Sequence, residues 1–400
     1  MAGGHVRTQE RTQVAIVGAG PAGLMLSHLL HLHGVTSVVL EVRDREYVEH
    51  RVRAGVLEQG TVDLLRDSGI GARLLREGQP HEAINLQFAG ERHRIAMTEL
   101  TGRRITVYGQ QEVVKDLIAQ RLADDGQIVF EAADVAVDGV DSDDPVVRYR
   151  VEGAQHELRA DFVVGCDGSH GVSKDAVPDG VLTTYERTYP FAWLGILAQA
   201  APAVHELIYA RHDRGFALYS LRSPQVSRLY LQVAPDEDLA QWPDDRVWAE
   251  LHTRLELDGD PVRVTEGPVL EKGITPMRSL VVEPMQHRRL FLAGDAVHIV
   301  PPTGAKGMNL AMADANLLGQ AFDSWYGRGE RELLDGYSRT ALRRVWRAQH
   351  FSWWMTSMLH TFGGADPYEE QLALSQLRYA TTSTAYATSL AENYVGLVDV

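Results

Sequence analysis

Apolar and polar positions along this chain fall into blocks whose period changes twice. Residues 12–17 form a β-rich run bounded by glycine, and 21–33 are mostly apolar and stop at Gly34, as helices stop. Residues 37–41 read as a second strand, which closes a βαβ half. Helical spacing recurs over 57–67 and 112–124, whereas 128–131, 146–151 and 158–164 alternate or run apolar, as strands do. From about Tyr185 to Thr275 the period shortens. Segments 191–197, 205–210, 216–221 and 228–233 follow one another across short turns, predicting an antiparallel sheet interrupted by a helix over 245–255. Beyond Gly294 the pattern is helical again, over 307–322, 330–360 and 369–380. The acidic run 138–144 reads as an exposed turn.

These blocks predict an α/β (α+β) fold. A Rossmann-like domain is assembled from discontinuous segments, an antiparallel-sheet domain is inserted between them, and the C-terminal region is helical. The predicted division is a flexible lead-in over 1–11, a first Rossmann segment over 12–180, a β-rich domain over 181–276, and a second Rossmann segment with the C-terminal helices over 277–400.

Composition narrows the class of partner. With 39 basic and 54 acidic residues the net charge is −15, which disfavours a general nucleic-acid or anionic-membrane surface. Any anionic ligand must therefore meet local positive charge. The single cysteine, Cys166, excludes an intrachain disulfide and suits a reducing compartment. No apolar run approaches the ~18 residues of a membrane span, and residues 1–11 lack the apolar centre of a secretory signal. The expectation is a soluble cytoplasmic protein that needs no metal.

Three glycine-rich turns then give the chemistry, each directly after a short apolar strand. They are Gly18-Ala19-Gly20-Pro21-Ala22-Gly23, Gly165-Cys166-Asp167-Gly168 and Gly294-Asp295-Ala296-Val297-His298. A lone GxGxxG is weak, but the ordered set points to non-covalently bound FAD and so to redox chemistry. Gly18 allows the tight turn, Gly20 admits the pyrophosphate, Gly23 lets helix and sheet pack, and Ala22 lies in the same turn. The helix start then faces the phosphates with free N–H groups. Glu41, 18 residues past Gly23, suits the ribose hydroxyls. Asp295 suits the ribityl chain, and the turn into Gly307 offers N–H donors to the flavin's electron-poor end. His298 reads as structural and Cys166 as buried and inert.

Further segments carry a resemblance. Arg53-Ala54-Gly55-Val56-Leu57-Glu58-Gln59-Gly60, Val107-Tyr108-Gly109-Gln110, His205-Glu206-Leu207-Ile208-Tyr209, Val282-Glu283-Pro284-Met285-Gln286-His287, Phe351-Ser352-Trp353-Trp354-Met355-Thr356-Ser357 and Ala391-Glu392-Asn393-Tyr394-Val395-Gly396-Leu397 join the three turns. With them the chain resembles the aromatic flavoprotein monooxygenases, the single-component FAD-dependent aromatic hydroxylases, from about Thr12 to its C-terminus. The resemblance implies that NAD(P)H reduces FAD and that O2 then gives a flavin C4a-hydroperoxide. That species would hydroxylate 4-hydroxybenzoate to 3,4-dihydroxybenzoate, a step of aromatic catabolism, in a homodimer.

The site residues follow from the same resemblance. Ser220, Arg222 and Tyr230 are implied on the substrate carboxylate, with Arg222 as the two-pronged anchor. Tyr209 and the carbonyl of Pro302 are implied beside the phenolic oxygen. Tyr394 would bond to Tyr209, and His81 would end this proton relay near solvent. Arg51, Arg53 and Gln110 are implied on the cofactor and Asp167 near its diphosphate. Lys306 would add positive field near the ring system, with Asn309 about one turn further along the helix. Arg228 is implied in moving the flavin between an inner position for hydroxylation and an outer one for reduction. His170 and Arg278 are the implied contacts of the nicotinamide nucleotide's diphosphate.

One departure bears on the co-substrate. Val42 follows Glu41 where NADPH-preferring members carry a basic residue, yet Arg43, Tyr47 and Arg51 lie close by on a predicted short helix. NADPH and NADH both stay open, with a lean to NADPH. Two other functions also stay open: a hydroxylase of another aromatic acid, such as 3-hydroxybenzoate or salicylate, and a non-catalytic FAD-bound sensor.

Overall fold

In a computed structural model of the chain, residues 8–51, 55–362 and 366–396 are described. Two large sheets share the work. In the first, Thr8–Val17 lies between Ala154–Gly165 and Ser37–Leu40, parallel to both. Leu290–Leu292 and Gln127–Val129 extend the parallel array on either side. Val14, Ala15, Ile16, Val163 and Val164 are buried on both faces, which is why these strands read as continuous apolar runs. Helices Pro21–Leu32, Gln110–Ala123 and Gly307–Arg328 pack against the array.

The structure corrects the predicted lead-in. Residues 8–11 are already strand, paired with His156–Arg159 of the neighbouring strand. Arg11 fastens this end by donating to Asp144 and Asp161, each at 2.7 Å. Its polar sequence hides a strand whose neighbours are far away in the chain. The remaining residues of the lead-in, 1–7, lie outside the described ones.

The second sheet has eight strands. Thr183–Ala198 is its spine, antiparallel to Val226–Val233 and to Val269–Glu283. Ala217–Ser223 and Ile208–Ala210 follow. The sequence predicts a β-rich domain over 181–276, but Ile84–Phe88 and Glu91–Ile95 also join the sheet, through the parallel pairing of Ile84–Phe88 with Ile208–Ala210. Three smaller differences stand beside this one. Leu57 is in a strand, with the helix beginning at Gln59. Only Ile208–Ala210 of 205–210 is strand. A final helix, Thr384–Val395, was not foreseen.

Alternation gives this second sheet two different faces. Leu194, Ile196, Ile208, Tyr219, Leu229 and Leu231 face helix Asp244–Leu255 through Val247, Trp248 and Leu251. On the other face Trp193, Tyr209, Leu218 and Tyr230 meet Phe351, Met355, Leu390 and Tyr394 from the C-terminal helices. Each fully buried aromatic contributes roughly 1.5–3 kcal/mol to holding these layers together. Segment 351–362 is therefore mostly core, with Trp353 its exposed aromatic. The second face is the one that carries polar groups.

Candidate active site

The first glycine turn is built for close approach. Gly18 has φ +106°, and a Cβ there would lie 2.4 Å from the Cys166 carbonyl oxygen. A Cβ on Gly23 would lie 2.1 Å from the Gly18 carbonyl oxygen, so strand and helix touch backbone to backbone. Gly20 differs, because nothing lies within 4 Å of its added Cβ. Open space thus fronts the start of helix Pro21–Leu32, which no side chain caps. Ala22, buried on the same turn, faces Gly294 of the third glycine turn. Uncapped N–H groups facing an open, backbone-walled space fit a dinucleotide diphosphate.

Glu41 braces this turn. Its Oε2 accepts from the Ala19 N–H at 2.8 Å and its Oε1 from the Arg43 N–H at 2.9 Å. Each oxygen keeps a lone pair for a ribose hydroxyl. Helix Gly307–Arg328 supplies a second uncapped start, with open space in front of Gly307, and exposed Asp295 lies in the short turn Gly294–Ala296 after strand Leu290–Leu292. Gln110 stands half-buried at the head of its own helix. Arg53 lies outside the described residues.

Three of the residues expected on the cofactor also have partners within the protein. Asp167 spends its Oδ2 on the N–H and hydroxyl of Ser173, both at 2.8 Å, and burial pushes its carboxyl up. These bonds shape the second glycine turn. The Asn309 side chain is saturated. Its Oδ1 accepts from the Glu58 N–H and the Thr61 hydroxyl, and its Nδ2 donates to the carbonyls of Val56 and Ala305. Only the backbone N–H of Asn309 is left for a ligand.

Lys306 is buried, and its Nζ donates to Glu58 Oε1 at 2.6 Å and to the Tyr394 carbonyl at 3.1 Å. Burial lowers its pKa, with Glu58 opposing that shift. Arg344 donates to the other Glu58 oxygen at 3.0 Å, so one carboxylate is shared by two cations and offsets the positive field of Lys306 only in part. Glu58 lies about 250 residues from Lys306, and nothing local in its sequence marks it as the partner. Cys166 is half-buried rather than fully buried, with its thiol pushed up by burial. His298 bonds Asp314 at 2.6 Å, and Asp314 also takes the Gly294 N–H, fixing the third turn.

The polar face of the second sheet gathers the expected substrate residues. Ser220 pairs across the ladder with Arg228, Leu218 with Tyr230, and Tyr209 with Leu218. Residues two apart on a strand share a face, so Tyr209, Ser220, Arg222, Arg228 and Tyr230 all look one way. Tyr209 and Ser220 are offset by two residues, about 6.7 Å along the strand. That offset is close to the span of a benzene ring with a substituent at each end.

The clamp end is strongly positive. Arg222 Nη1 donates to the Leu221 carbonyl at 3.1 Å, while its Nε and Nη1 of Arg228 are sealed without partners among the described residues. Burial, and to a smaller degree Arg228, lower the Arg222 guanidinium. Arg228 Nε donates to the Tyr230 hydroxyl at 3.3 Å. Burial alone would raise the Tyr230 phenol, but the two guanidiniums outweigh it and bring it below its ordinary value. Gly195, unremarked in the sequence, makes room for this group. A Cβ there would lie 2.9 Å from Arg228 Nη2, and a glycine inside a strand was the available signal.

At the other end Tyr209 and Tyr394 join hydroxyl to hydroxyl at 2.5 Å. Both are fully buried, and burial pushes both phenols up, so each is neutral at pH 7. Pro302 opens the short turn Pro302–Gly304, its carbonyl accepting from the Ala305 N–H at 2.9 Å with one lone pair to spare.

His81 was expected near solvent, and the structure places it 3% exposed with both ring nitrogens unpartnered among the described residues. Strand Gln79–His81 turns inward against Ile105–Val107. Burial pulls its imidazole down to about 4, with Glu206 opposing and His205 assisting. The folded value lies below the unfolded one near 6.5. Between those two values only the unfolded chain binds the proton, so stability falls as pH falls through that window. A His81→Gln variant should therefore lose less stability between pH 7 and 4, by up to about 1.4 kcal/mol per pH unit. Urea midpoints at several pH values measure this, and parallel curves for the two proteins would refute it.

The nucleotide residues form two groups. Asp44 caps the short helix Arg45–His50 by accepting from the Tyr47 N–H, and Arg43 and Arg51, both exposed, lie 5.1 and 5.9 Å from the Tyr47 ring centre. Separately, Ser169 meets His170 at 3.1 Å and accepts from Arg278 at 2.8 Å. Both groups are reachable, and each sets acids beside its arginines, with Arg45 on Glu49 at 2.6 Å and Arg278 3.8 Å from Glu186.

Comparison with known proteins gives the family and the fold. Residues 11–352 match the family described as FAD binding domain. The chain is 45% identical over 388 residues to the p-hydroxybenzoate hydroxylase of Acinetobacter baylyi, covering 97% of this chain and 96% of that one. It is 27% identical over 336 residues to the rifampicin monooxygenase of Streptomyces venezuelae, covering 81% of this chain and 67% of that one. Among solved structures, p-nitrophenol 4-monooxygenase of Pseudomonas putida is similar in fold. Its TM-score is 0.81 at 19% identity, covering 97% of this chain and all of that one.

Proposed function

The chain belongs to the FAD binding domain family and, within it, to the p-hydroxybenzoate hydroxylases, and from that premise we propose that it hydroxylates 4-hydroxybenzoate to 3,4-dihydroxybenzoate. It is an FAD-dependent monooxygenase that draws its electrons from NAD(P)H. When bound, the flavin supplies the activated oxygen atom. The observation that carries the substrate assignment is the pairing, on one sheet face, of a two-arginine carboxylate clamp with the buried Tyr209–Tyr394 contact.

The side chains then divide the work. Arg222, Ser220 and Tyr230 hold the carboxylate, and Tyr209 with the Pro302 carbonyl holds the phenolic oxygen. Tyr394 passes the phenolic proton from Tyr209 toward His81. A phenolate ring is far richer in electrons than a phenol, and electrophilic attack at its ortho carbon needs that. The enclosing layers keep water out of the site. The uncapped starts at Ala22–Gly23 and Gly307 would hold the cofactor, with Glu41 on its ribose, Asp295 on its ribityl chain, and Gln110, Arg51 and Arg53 beside it. Arg228 would serve its movement, and His170, Arg278, Arg43 and Tyr47 would receive the nicotinamide nucleotide.

We place the protein in the cytoplasm as a homodimer. The lone cysteine suits that compartment, and exposed Tyr368, Leu372 and Tyr379 on helix Pro367–Thr382 offer an apolar face for self-association. Among the described residues no helix is long and apolar enough to cross a membrane.

The test is oxidation of NADPH, and separately NADH, under air with and without 4-hydroxybenzoate, with product assayed alongside. The expected result is strong stimulation with one 3,4-dihydroxybenzoate per nucleotide consumed, and faster turnover with NADPH. Stimulation that yields only hydrogen peroxide would transfer the assignment to a neighbouring aromatic acid. Absence of stimulation despite bound FAD would leave a sensor.

A further inference from the structure

Helix Glu332–Leu359 ends at His360, a fully buried histidine that the proposed chemistry does not use. Its partners decide its protonation. The Trp193 indole can only donate, and its Nε1 lies 2.7 Å from His360 Nε2, which must therefore accept. The ring proton is then on Nδ1, which donates to the Thr356 carbonyl at 3.0 Å. Burial takes the imidazole down to about 3, so this neutral tautomer holds throughout the working pH range. Phe191 stacks on it at 4.4 Å and Phe216 lies 4.3 Å away. Arg211 donates to its carbonyl at 2.7 Å.

His360 has a different neighbourhood on each side. On the sheet side, the Trp193 ring lies 5.0 Å from Tyr230 of the carboxylate clamp, and Phe216, stacked on Trp193 at 5.1 Å, lies 6.2 Å from Tyr209. On the helix side, Thr356 donates its hydroxyl to Thr303 at 2.9 Å. Thr303 is the middle residue of the Pro302–Gly304 turn, which leads into the uncapped start at Gly307. The turn has no slack, since a Cβ on Gly304 would lie 2.7 Å from Ser352 Oγ of the same helix.

We propose that His360 is a positioning residue that ties the substrate-holding sheet face, through Trp193, to the Pro302–Gly304 turn, through Thr356 and Thr303. The substrate ring and the turn beside the flavin come from separate layers, and a shift of about 1 Å between reacting atoms costs on the order of 100-fold in rate. A rigid hydrogen-bonded strut between those layers is what fixes that distance. The inference rests on the proposed substrate site.

Three variants of the FAD-loaded enzyme test it. Thr356→Val keeps the shape and the carbonyl that His360 uses, and cuts only the bond to Thr303. His360→Leu removes both side-chain bonds. His360→Gln can accept from Trp193 through its amide oxygen and donate to the Thr356 carbonyl through its amide nitrogen. We expect Thr356→Val and His360→Leu to lower kcat for hydroxylation on the order of 10- to 100-fold and to release hydrogen peroxide instead of product. Their Kd for 4-hydroxybenzoate, titrated by flavin absorbance, should stay near that of wild type, and His360→Gln should recover most of the product yield.

A merely structural role would lower thermal stability in His360→Leu while leaving the ratio of product to nucleotide intact. If that protein does not fold, Thr356→Val decides. A wild-type ratio in Thr356→Val overturns the strut. A wild-type enzyme that 4-hydroxybenzoate does not stimulate overturns the substrate assignment itself, and the strut with it.

Discussion

Replacing Arg222 with alanine is expected to weaken 4-hydroxybenzoate binding by about 2–5 kcal/mol, roughly 30- to 4,000-fold in Kd. The size follows from what surrounds the guanidinium. Its Nε is sealed from water with no partner among the described residues, and Arg228 adds a like charge beside it. An arriving carboxylate completes a buried donor and relieves that repulsion at once, and a planar fork grips it with two charge-assisted bonds. Arg222→Lys should recover only part of the loss, because an ammonium keeps the charge but not the fork. Titration of the FAD-loaded protein by flavin absorbance reads both. An unchanged Kd in Arg222→Ala would remove this residue from the site, and with it the orientation of the substrate on the sheet.

The parts of this arrangement that were legible in the sequence are those that a local backbone demands. Gly18 and Gly23 could be read because their positions admit no side chain, and the strand–turn–helix pattern around them says so within ten residues. Buried parallel strands were equally plain, as apolar runs with no polar alternation. Residues 84–95 show where local reading stops. Apolar Ile84, Leu86 and Phe88 alternate with polar Asn85 and Gln87, and Ala89-Gly90 turns with both φ values positive, so the signature of a hairpin was present. Nothing in those residues says that the hairpin docks on Ile208–Ala210.

The site divides the same way. Tyr209 and Tyr394 are 185 positions apart, and only the resemblance joined them. Asn309 and Lys306 have protein partners that spacing does not show. Both face Glu58, some 250 residues earlier in the chain. His81 was expected near solvent because a proton relay must end there, yet its strand is drawn inward by pairing with Ile105–Val107. Roles set by tertiary neighbours do not appear in spacing.

Tyr209→Phe should bind 4-hydroxybenzoate nearly as tightly as wild type and hydroxylate it roughly 100- to 10,000-fold more slowly, the usual contribution of a positioned proton acceptor or donor. The carboxylate clamp is untouched, so affinity survives. What is lost is the path for the phenolic proton. Tyr209 and Tyr394 are held neutral by burial, so neither can keep the proton, and each can only pass it on while its hydroxyl turns. His81, neutral above about pH 4, can accept it but holds it weakly. The relay therefore moves charge only when the bound phenol gains from giving it up, beside donors that stabilise a phenolate.

In wild type, ultraviolet difference spectra at neutral pH should show phenolate forming as substrate binds, and in Tyr209→Phe the phenol should persist to higher pH. Tyr394→Phe distinguishes the links of the chain. It leaves the Tyr209 hydroxyl in place but breaks the 2.5 Å contact behind it. If the proton leaves through both tyrosines, this variant also loses the phenolate signal. Wild-type spectra in Tyr394→Phe with loss in Tyr209→Phe would mean that Tyr209 stabilises the phenolate by its own hydrogen bond and that the proton leaves by another route.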